Sequence, residues 1–220
     1  MSALTEFLTL AITETRPQTG EFNVIAMETR SQNIVPIHLV KEQIVSSEGD
    51  VFWDIGFVTS VSGNMQRKHL GNDNSLFLIS GSARLGANKI NTFKAICDAK
   101  STTPQTFFDN EKQRFCILKI SKVEDLSIYV DKESEIENIK HYLSVYVCGM
   151  PAYQNPISLL NKDYRWINFW NWIYKNDAFD EKKKKYMKLL NRRDKELYLI
   201  LYRHHFKTSN HHWIVGMHWL

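Results

Sequence analysis

Aromatic and cationic side chains are concentrated in one part of this 220-residue chain, residues 164 to 196. The run YRWINFWNWIYKNDAF holds seven aromatic residues in sixteen positions, and DEKKKKYMKLLNRRDKE follows it directly. Helical spacing predicts a packed apolar stripe from four of these residues, Trp166, Phe169, Trp170 and Ile173. Trp172 and Tyr174 fall off that stripe, and aromatic rings left exposed beside cations can stack on bases. Core packing or a protein partner would use the same residue types.

The net charge of +4 is unevenly distributed along the chain. Residues 162 to 207 contain thirteen Lys and Arg against six Asp and Glu, a net charge of +7, whereas the remaining residues carry −3. This asymmetry favours a phosphate-binding surface, although a lysine-rich helix is also a common solvated face. The residues predicted to bind nucleic acid are Lys182, Lys183, Lys184, Lys185, Lys188, Arg192, Arg193, Arg203, Trp172 and Tyr174.

Histidines are concentrated near the C-terminus, where five of the eight occur: His204, His205, His211, His212 and His218. Histidine nitrogens bind zinc, so a metal-dependent hydrolase is one alternative function. Only Glu196 adds a carboxylate between Lys195 and Leu220, and adjacent histidines on a strand face opposite sides. We therefore predict no metal site.

Residue patterns for covalent catalysis are missing from the sequence. There is no G-x-S-x-G elbow, and the three cysteines form no C-x-x-C pair. Cys116 and Cys148 occur within apolar runs and are predicted to be buried structural thiols. The glycine-containing GSARLG lacks the Lys-Ser/Thr of a phosphate-binding loop. We predict a non-enzymatic protein that needs no cofactor.

Strands are the main elements that would position these residues. In the first half, alternation predicts strands over 7–14, 22–27, 34–40, 51–61 and 75–80, loops over 63–74 and 81–89, and a short helix over 91–100. In the second half it predicts strands over 114–123, 125–130, 141–149, 197–206 and 211–220, with two helices or one bent helix over 164–196. The first two strands would form a hairpin around RPQTG, and the last two would form another around KTSN.

The aperiodic segment STTPQTFFDNEKQ separates two halves of similar length. We predict domains at 1–105 and 106–220, each a small β barrel or sheet, with a helical insertion in the second at about 158–196. The fold class is mainly β with that insertion, α+β.

Several segments, in this order, resemble dual OB-fold domain proteins. They are FLTLAITETRPQTGEFNVIAMETRSQNIVPIH, FCILKISKVEDLSIYV, HYLSVYVCG, YQNPISLLNKDY, YLILYRHHF and WIVGMHW. The resemblance implies two tandem OB-like barrels, nucleic-acid binding, and a place in prokaryotic conflict or mobile-element systems. A Trp-Ile-Arg-Pro element associated with the family reads IVPIH here, and Glu14 stands in the otherwise basic first turn, so contacts through those positions are not carried over.

These patterns together predict a protein that binds DNA or RNA, with other protein subunits as further partners. The first alternative is a scaffold subunit that docks through its tryptophan-rich helix, and the second is the histidine-dependent hydrolase. The N-terminus has no basic region or small-residue cleavage site, and no apolar run reaches eighteen residues. We therefore expect a cytoplasmic protein with no membrane partner.

Overall fold

The computed structural model describes residues 4–16, 20–63, 65–69, 75–131, 138–151, 154–176, 178–206 and 209–220. The chain forms two compact units. Unit 1 comprises Met1–Ile96 and His204–Asn210, and unit 2 comprises Cys97–Arg203 and His211–Leu220. The division after Ile96 comes earlier than the boundary expected between residues 105 and 106. The turn predicted at KTSN includes residues 207 and 208, which lie outside the described residues.

Unit 1 is built on a seven-stranded sheet with the order β5-β6-β3-β2-β1-β4-β7. Its strands are β1 (Thr5–Arg16), β2 (Glu21–Glu28), β3 (Ile34–Val40), β4 (Phe57–Ser62), β5 (Met65–His69), β6 (Ser75–Ile79) and β7 (Ser82–Asn88). A short helix, α1 (Lys41–Ile44), follows β3, and α2 (Ile90–Lys100) confirms the helix predicted over 91–100. β1 and β2 pair antiparallel, which confirms the predicted hairpin.

Three predictions for unit 1 were wrong. The strand expected over 51–61 begins only at Phe57, because Gly56 has a φ of +82° and turns the chain. A Cβ at Gly56 would lie 2.6 Å from a side-chain carbon of Ile90, so glycine is required there. The segments expected as loops over 63–74 and 81–89 contain β5 and β7. Both strands are polar and lack the apolar alternation that marks a half-buried strand.

Unit 2 contains a closed five-stranded barrel with the order β10-β12-β11-β8-β9. Its strands are β8 (Phe115–Asp131), β9 (Asn138–Val147), β10 (Ile157–Asn161), β11 (Leu197–Phe206) and β12 (Ser209–Trp219). β10 pairs antiparallel with β9 and parallel with β12, and these pairings close the barrel. A small five-stranded closed barrel is an OB-like arrangement, and the predicted mainly β, α+β class is confirmed. Of the two tandem OB-like barrels expected, unit 2 contains a closed barrel, whereas unit 1 contains the seven-stranded sheet.

The strand β8 replaces two strands that were predicted separately. It runs continuously, with register shifts between Ile120 and Lys122 and between Val123 and Asp125 in its pairing with β9. Such bulges bend a strand and increase its twist, which allows one long strand to curve around a small barrel. The bulges also interrupted the period-two pattern, which is why the sequence indicated two strands.

Helices cover three segments of unit 2: α3 (Pro104–Asp109), α4 (Tyr164–Lys175) and α5 (Phe179–Leu190). α3 lies in the segment expected to be aperiodic, and the Thr103 side chain accepts a hydrogen bond from the Thr106 N–H at 3.3 Å as its N-cap. α4 and α5 lie between β10 and β11 and confirm the predicted helices. Among the described residues, no helix is both long and apolar enough to cross a membrane.

Candidate functional site

Four lysines of α5 form a cationic surface. Lys184, Lys185 and Lys188 are exposed and Lys182 is half-buried. None of the four makes an ion pair with any residue that the structure describes. We name them the α5 cations. Because helical neighbours three and four positions apart lie side by side, their charges repel one another, and an anionic ligand would relieve that repulsion.

Three further predicted cations near α5 differ in their contacts. Lys183 Nζ lies 2.7 Å from Asp125 Oδ1 on β8, so this lysine fastens α5 to the barrel. Arg192 follows α5 and pairs with Asp194 at 2.5 Å in an exposed ion pair, a kind that contributes little to stability. Arg193 is exposed and makes no ion pair within the described parts of the chain.

Arg203 does not belong to a phosphate-binding surface. It is 1% exposed, and its guanidinium donates hydrogen bonds to the main-chain carbonyls of Phe107, Phe108 and Asn110. The guanidinium carbon also lies 4.6 Å from the centroid of the Phe107 ring. Burial lowers the pKa of this guanidinium. Arg203 is therefore a structural cation that holds α3 and the segment after it against β11.

The aromatic stripe of α4 packs into the core of unit 2, as predicted. Trp170 is fully buried, and its ring contacts four aromatic rings at centroid distances of 5.3 to 5.5 Å: Trp166, Phe169, Phe179 and Tyr186. Trp172 lies off this stripe and is 63% exposed, whereas Tyr174 is half-buried. Of the two aromatic residues predicted to bind bases, Trp172 offers the larger accessible ring.

Asp163 fixes the start of α4. Its Oδ1 accepts hydrogen bonds from the N–H groups of Arg165 at 3.0 Å and Trp166 at 3.4 Å, an N-cap that also favours the helix dipole. Its Oδ2 accepts from the N–H of Met217 on β12 at 2.9 Å. Because Asp163 is itself buried, these bonds hold the N-terminus of α4 on the barrel.

A second aromatic and cationic surface, which the sequence analysis missed, lies on the outside of the barrel. Its members, which we name the outer barrel face, are Tyr129, Lys140, Tyr142, Lys162 and Trp213. Tyr142 pairs across the strands with Leu160, and Leu160 pairs with Trp213, so the three side chains share one face of the sheet. Lys140 Nζ lies 5.8 Å from the Tyr129 ring centroid, and Lys162 Nζ lies 5.8 Å from that of Trp213.

Alternation along β9 is the signal that could have revealed this surface. Leu143, Val145 and Val147 are buried, and the intervening Lys140, Tyr142, Ser144 and Tyr146 are less buried. In the sequence the same segment reads KHYLSVYV, so cationic, aromatic and polar residues recur at every second position. A period of two places such residues together on one side of a strand.

The electrostatics of the outer barrel face favour an anion. Burial lowers the pKa of Lys162, and the nearby charge of Lys140 lowers it further. An anion bound between the two ammonium groups would stabilise both in their charged form. His141 follows Lys140 in sequence but is buried, and its Nε2 lies 2.7 Å from Asn171 Oδ1. Burial is the main reason that the pKa of His141 is lowered.

The described residues group no metal ligands, and the two thiols predicted to be buried differ in their exposure. No cluster of three or more His, Cys, Asp or Glu suited to a metal ion occurs among the residues that the structure describes. Cys116 is buried as predicted, and burial raises its pKa. The prediction for Cys148 was wrong, because β9 ends at Val147 and the thiol that follows is exposed.

Two carboxylates approach each other around Tyr198, but both have partners. The Tyr198 hydroxyl oxygen lies 2.5 Å from Asp98 Oδ1 and 2.8 Å from Glu196 Oε2. Lys119 Nζ lies 2.7 Å from Glu196 Oε1 and 3.4 Å from Asp98 Oδ1. These contacts tie the end of α2 to β8 and β11, so the cluster stabilises unit 2.

Comparisons with known proteins give likenesses to solved structures alone. No model of a protein family matches the chain, and no curated protein matches it. Among solved structures, the chain is similar to a chain from the structure of a Replication Protein A heterotrimer bound to ssDNA, with a TM-score of 0.44 and 12% sequence identity. The alignment covers 100% of this chain and 48% of that one, so this chain spans about half of its length.

Proposed function

We propose that this protein is a non-enzymatic nucleic-acid-binding protein that holds a strand of DNA or RNA on unit 2. The observation that carries the proposal is the α5 cations, three exposed lysines and the half-buried Lys182, which have no carboxylate partner among the described residues. Lysine ammonium groups that contact phosphates release counterions, which supplies most sequence-independent affinity for nucleic acid. Arg193 extends this charge beyond the end of α5.

The outer barrel face would supply base contacts beside the phosphate contacts. Asp125, which holds Lys183 of α5, precedes Ser127 on β8 by two residues, a rise of about 6.6 Å along a strand. Ser127 in turn pairs with Tyr142. A nucleic-acid strand bound along the α5 cations can therefore continue onto Tyr142, Lys162 and Trp213. Each base stacked on an aromatic ring is worth roughly 1–3 kcal/mol.

Binding to single-stranded and duplex DNA and RNA at two salt concentrations tests this proposal. We expect binding that weakens steeply with salt, measured by fluorescence anisotropy. Tyr142→Ser should lower the affinity for single strands by about 5- to 150-fold, the equivalent of one stacked base, and leave the salt dependence unchanged. Failure of all four nucleic acids to bind at about 50 mM salt would refute the proposal.

A second candidate function is favoured by the exposure of Trp172. A tryptophan that is 63% exposed on a well-anchored helix is a typical anchor for a protein partner. If α4 docks a partner protein, Trp172→Ala should abolish co-purification of that partner and leave the affinity for nucleic acid unchanged. If Trp172 stacks on bases instead, the same variant should weaken binding to single strands.

The resemblance to dual OB-fold domain proteins is the basis of a finer proposal. We place the protein in the cytoplasm of a prokaryote, as a subunit of a defence or mobile-element complex. Tagged protein recovered from its native host should carry other subunits of the same operon. Recovery of the chain alone, with unchanged resistance to phage and to plasmid transfer after its deletion, would contradict this role.

A further inference from the structure

A cleft lies where β8 bulges, between β8, the end of β9 and the segment that follows α5. It has two parts, of about 240 and about 440 Å³, which share Ser121 and Lys122 in their walls. The first part is lined by four cationic side chains, Lys122, Arg192, Arg193 and Lys195. The second is lined by Tyr146, Met150 and Pro151. The larger volume falls within the range of about 300–1,000 Å³ that is usual for small-molecule sites, and the smaller one adjoins it at Ser121 and Lys122.

The Asn191 side chain, in the wall of the cationic part, hydrogen-bonds to the backbone of β8 between its two bulges. Asn191 Oδ1 accepts a hydrogen bond from the Val123 N–H at 2.8 Å, and Asn191 Nδ2 donates to the Val123 carbonyl at 2.9 Å. Val123 lies between the two register shifts of β8. Two hydrogen bonds between the Asn191 side chain and the Val123 backbone therefore hold the residues after α5 at the bulge of β8. The wall of the cleft is thus fixed by the fold of unit 2.

The charge of the cationic part is suited to a phosphate monoester. Its described lining residues include no carboxylate. Arg193 and Lys195 make no ion pair within the described residues, so their charges are available to a ligand. Lys122 and Arg192 pair with Glu124 and Asp194, but all four of these side chains are well exposed. Exposed ion pairs of this kind contribute little free energy, so a phosphate dianion can replace the carboxylates as the partner of Lys122 and Arg192.

The second part of the cleft offers a flat ring and an apolar side chain beside the cations. Lys122 Nζ lies 5.6 Å from the centroid of the Tyr146 ring, and the two residues pair across β8 and β9. The Ser121 hydroxyl donates to the Tyr146 carbonyl at 3.0 Å, which fixes the backbone under that ring. An aromatic ring next to a cationic pocket matches a ligand that carries a base and a phosphate a few ångströms apart.

We infer that this cleft binds a nucleoside 5′-phosphate, with the phosphate among Arg192, Arg193 and Lys195 and the base against Tyr146. A free nucleotide and the 5′ end of a phosphorylated strand present the same chemistry. The site goes beyond the proposed function: it uses none of the α5 cations, shares Arg193 alone with the proposed phosphate contacts of the strand, and takes a free nucleotide whether or not the protein binds nucleic-acid strands. It also distinguishes a phosphorylated 5′ end from an internal phosphodiester, because only the monoester carries a second negative charge.

Titrations of the full chain with adenosine 5′-monophosphate, adenosine and inorganic phosphate test the inference, followed by ¹H–¹⁵N NMR shifts at the cleft residues. We expect the nucleotide to bind at least tenfold more tightly than either adenosine or phosphate. Charged hydrogen bonds of this kind are typically worth about tenfold each, so Arg193→Gln/Lys195→Gln should weaken nucleotide binding by on the order of 100-fold. Tyr146→Leu should weaken binding of the nucleotide and leave that of inorganic phosphate unchanged. The charge-matched control Lys41→Gln/Lys89→Gln, on exposed lysines of unit 1, should change neither.

A 5′-phosphorylated and a 5′-hydroxyl oligonucleotide separate the two sources of the ligand. Tighter binding of the phosphorylated strand than of the 5′-hydroxyl strand assigns the site to strand ends, and equal binding of the two strands beside binding of the nucleotide assigns it to free nucleotides; both support the site. The inference is overturned if adenosine binds as tightly as its monophosphate, if phosphate alone matches the nucleotide, or if none of the phosphorylated ligands shifts cleft residues. The titrations with adenosine 5′-monophosphate do not depend on strand binding, so failure of the site and failure of the proposed function are distinguishable.

Discussion

Replacing the α5 cations tests the central proposal most directly, through the salt dependence of binding. The variant Lys182→Gln/Lys184→Gln/Lys185→Gln/Lys188→Gln removes four charges and retains Lys183, because Lys183 holds α5 on Asp125. Glutamine is a good helix former, and loss of mutual repulsion among the lysines favours the helix. The variant should therefore fold with a Tm at or above that of the wild type.

The size of the expected effect follows from the number of lysines. Each phosphate neutralised on a single strand contributes about 0.7 to the slope of log K against log salt. Four contacts correspond to a slope of about 3, or an affinity loss of about 50-fold between about 50 and about 200 mM salt. The wild type should show at least this loss, and the slope of the variant should be smaller by about 3.

Fluorescence anisotropy of a labelled single strand at four salt concentrations measures this difference. The matched control removes four exposed cations from unit 1, Lys41, Lys68, Arg84 and Lys89, by substitution with Gln. We expect the control to retain the slope of the wild type. Equal slopes for the wild type and the α5 variant, or an equal fall in the control, would show that α5 does not contact phosphates.

Three further predictions concern stability. Arg203→Met should lower the free energy of unfolding by on the order of 3 kcal/mol, because three main-chain carbonyls, among them that of the buried Phe107, lose a charged donor. Denaturant titration measures this. A change in the salt slope of nucleic-acid binding without loss of stability would contradict it. Asn191→Leu should lower the free energy of unfolding by about 2 kcal/mol, because it leaves the N–H and carbonyl of Val123 without a partner. Asn191→Asp keeps one acceptor, so its loss should lie between that of the wild type and that of Asn191→Leu. Calorimetric Tm values that do not follow this order would argue against the contact. The pKa of His141 is lowered in the folded chain, so below about pH 6.5 the unfolded chain takes up a proton that the folded chain does not. The free energy of unfolding should therefore be constant with respect to this group above about pH 6.5 and should decrease as the pH falls below it. His141→Gln should flatten this decline in urea titrations, whereas His211→Gln should preserve it.

The sequence predicted those elements whose own pattern determines their environment. Helices α4 and α5, the hairpin of β1 and β2, and β11 all carry an apolar period that matches the face they bury. The polar strands β5 and β7 could not be predicted, because they form through pairing with β6 and β4 and have little burial of their own.

Among the candidate site residues, charge was a poorer guide than alternation. Arg203 continues the inward row of Leu197, Leu199 and Leu201, all in the core cluster of unit 2, so the period of β11 already indicated a buried position. Composition assigned it to a phosphate surface because it lies in a basic region. The outer barrel face was missed because its residues come from four segments of the sequence: β8, β9, the residue after β10, and β12.

The topologies of the two units determine where another subunit could join the protein through backbone pairing. In the closed barrel of unit 2, each described strand has a neighbouring strand on both sides, which leaves little edge for an incoming strand. Within the described residues, the seven-stranded sheet of unit 1 ends on β5 and β7, and β5 carries Arg67 and Lys68, charges of the kind that discourage edge-to-edge association. Addition of a strand is therefore favoured at the sheet edges of unit 1, of which β7 carries fewer charges than β5.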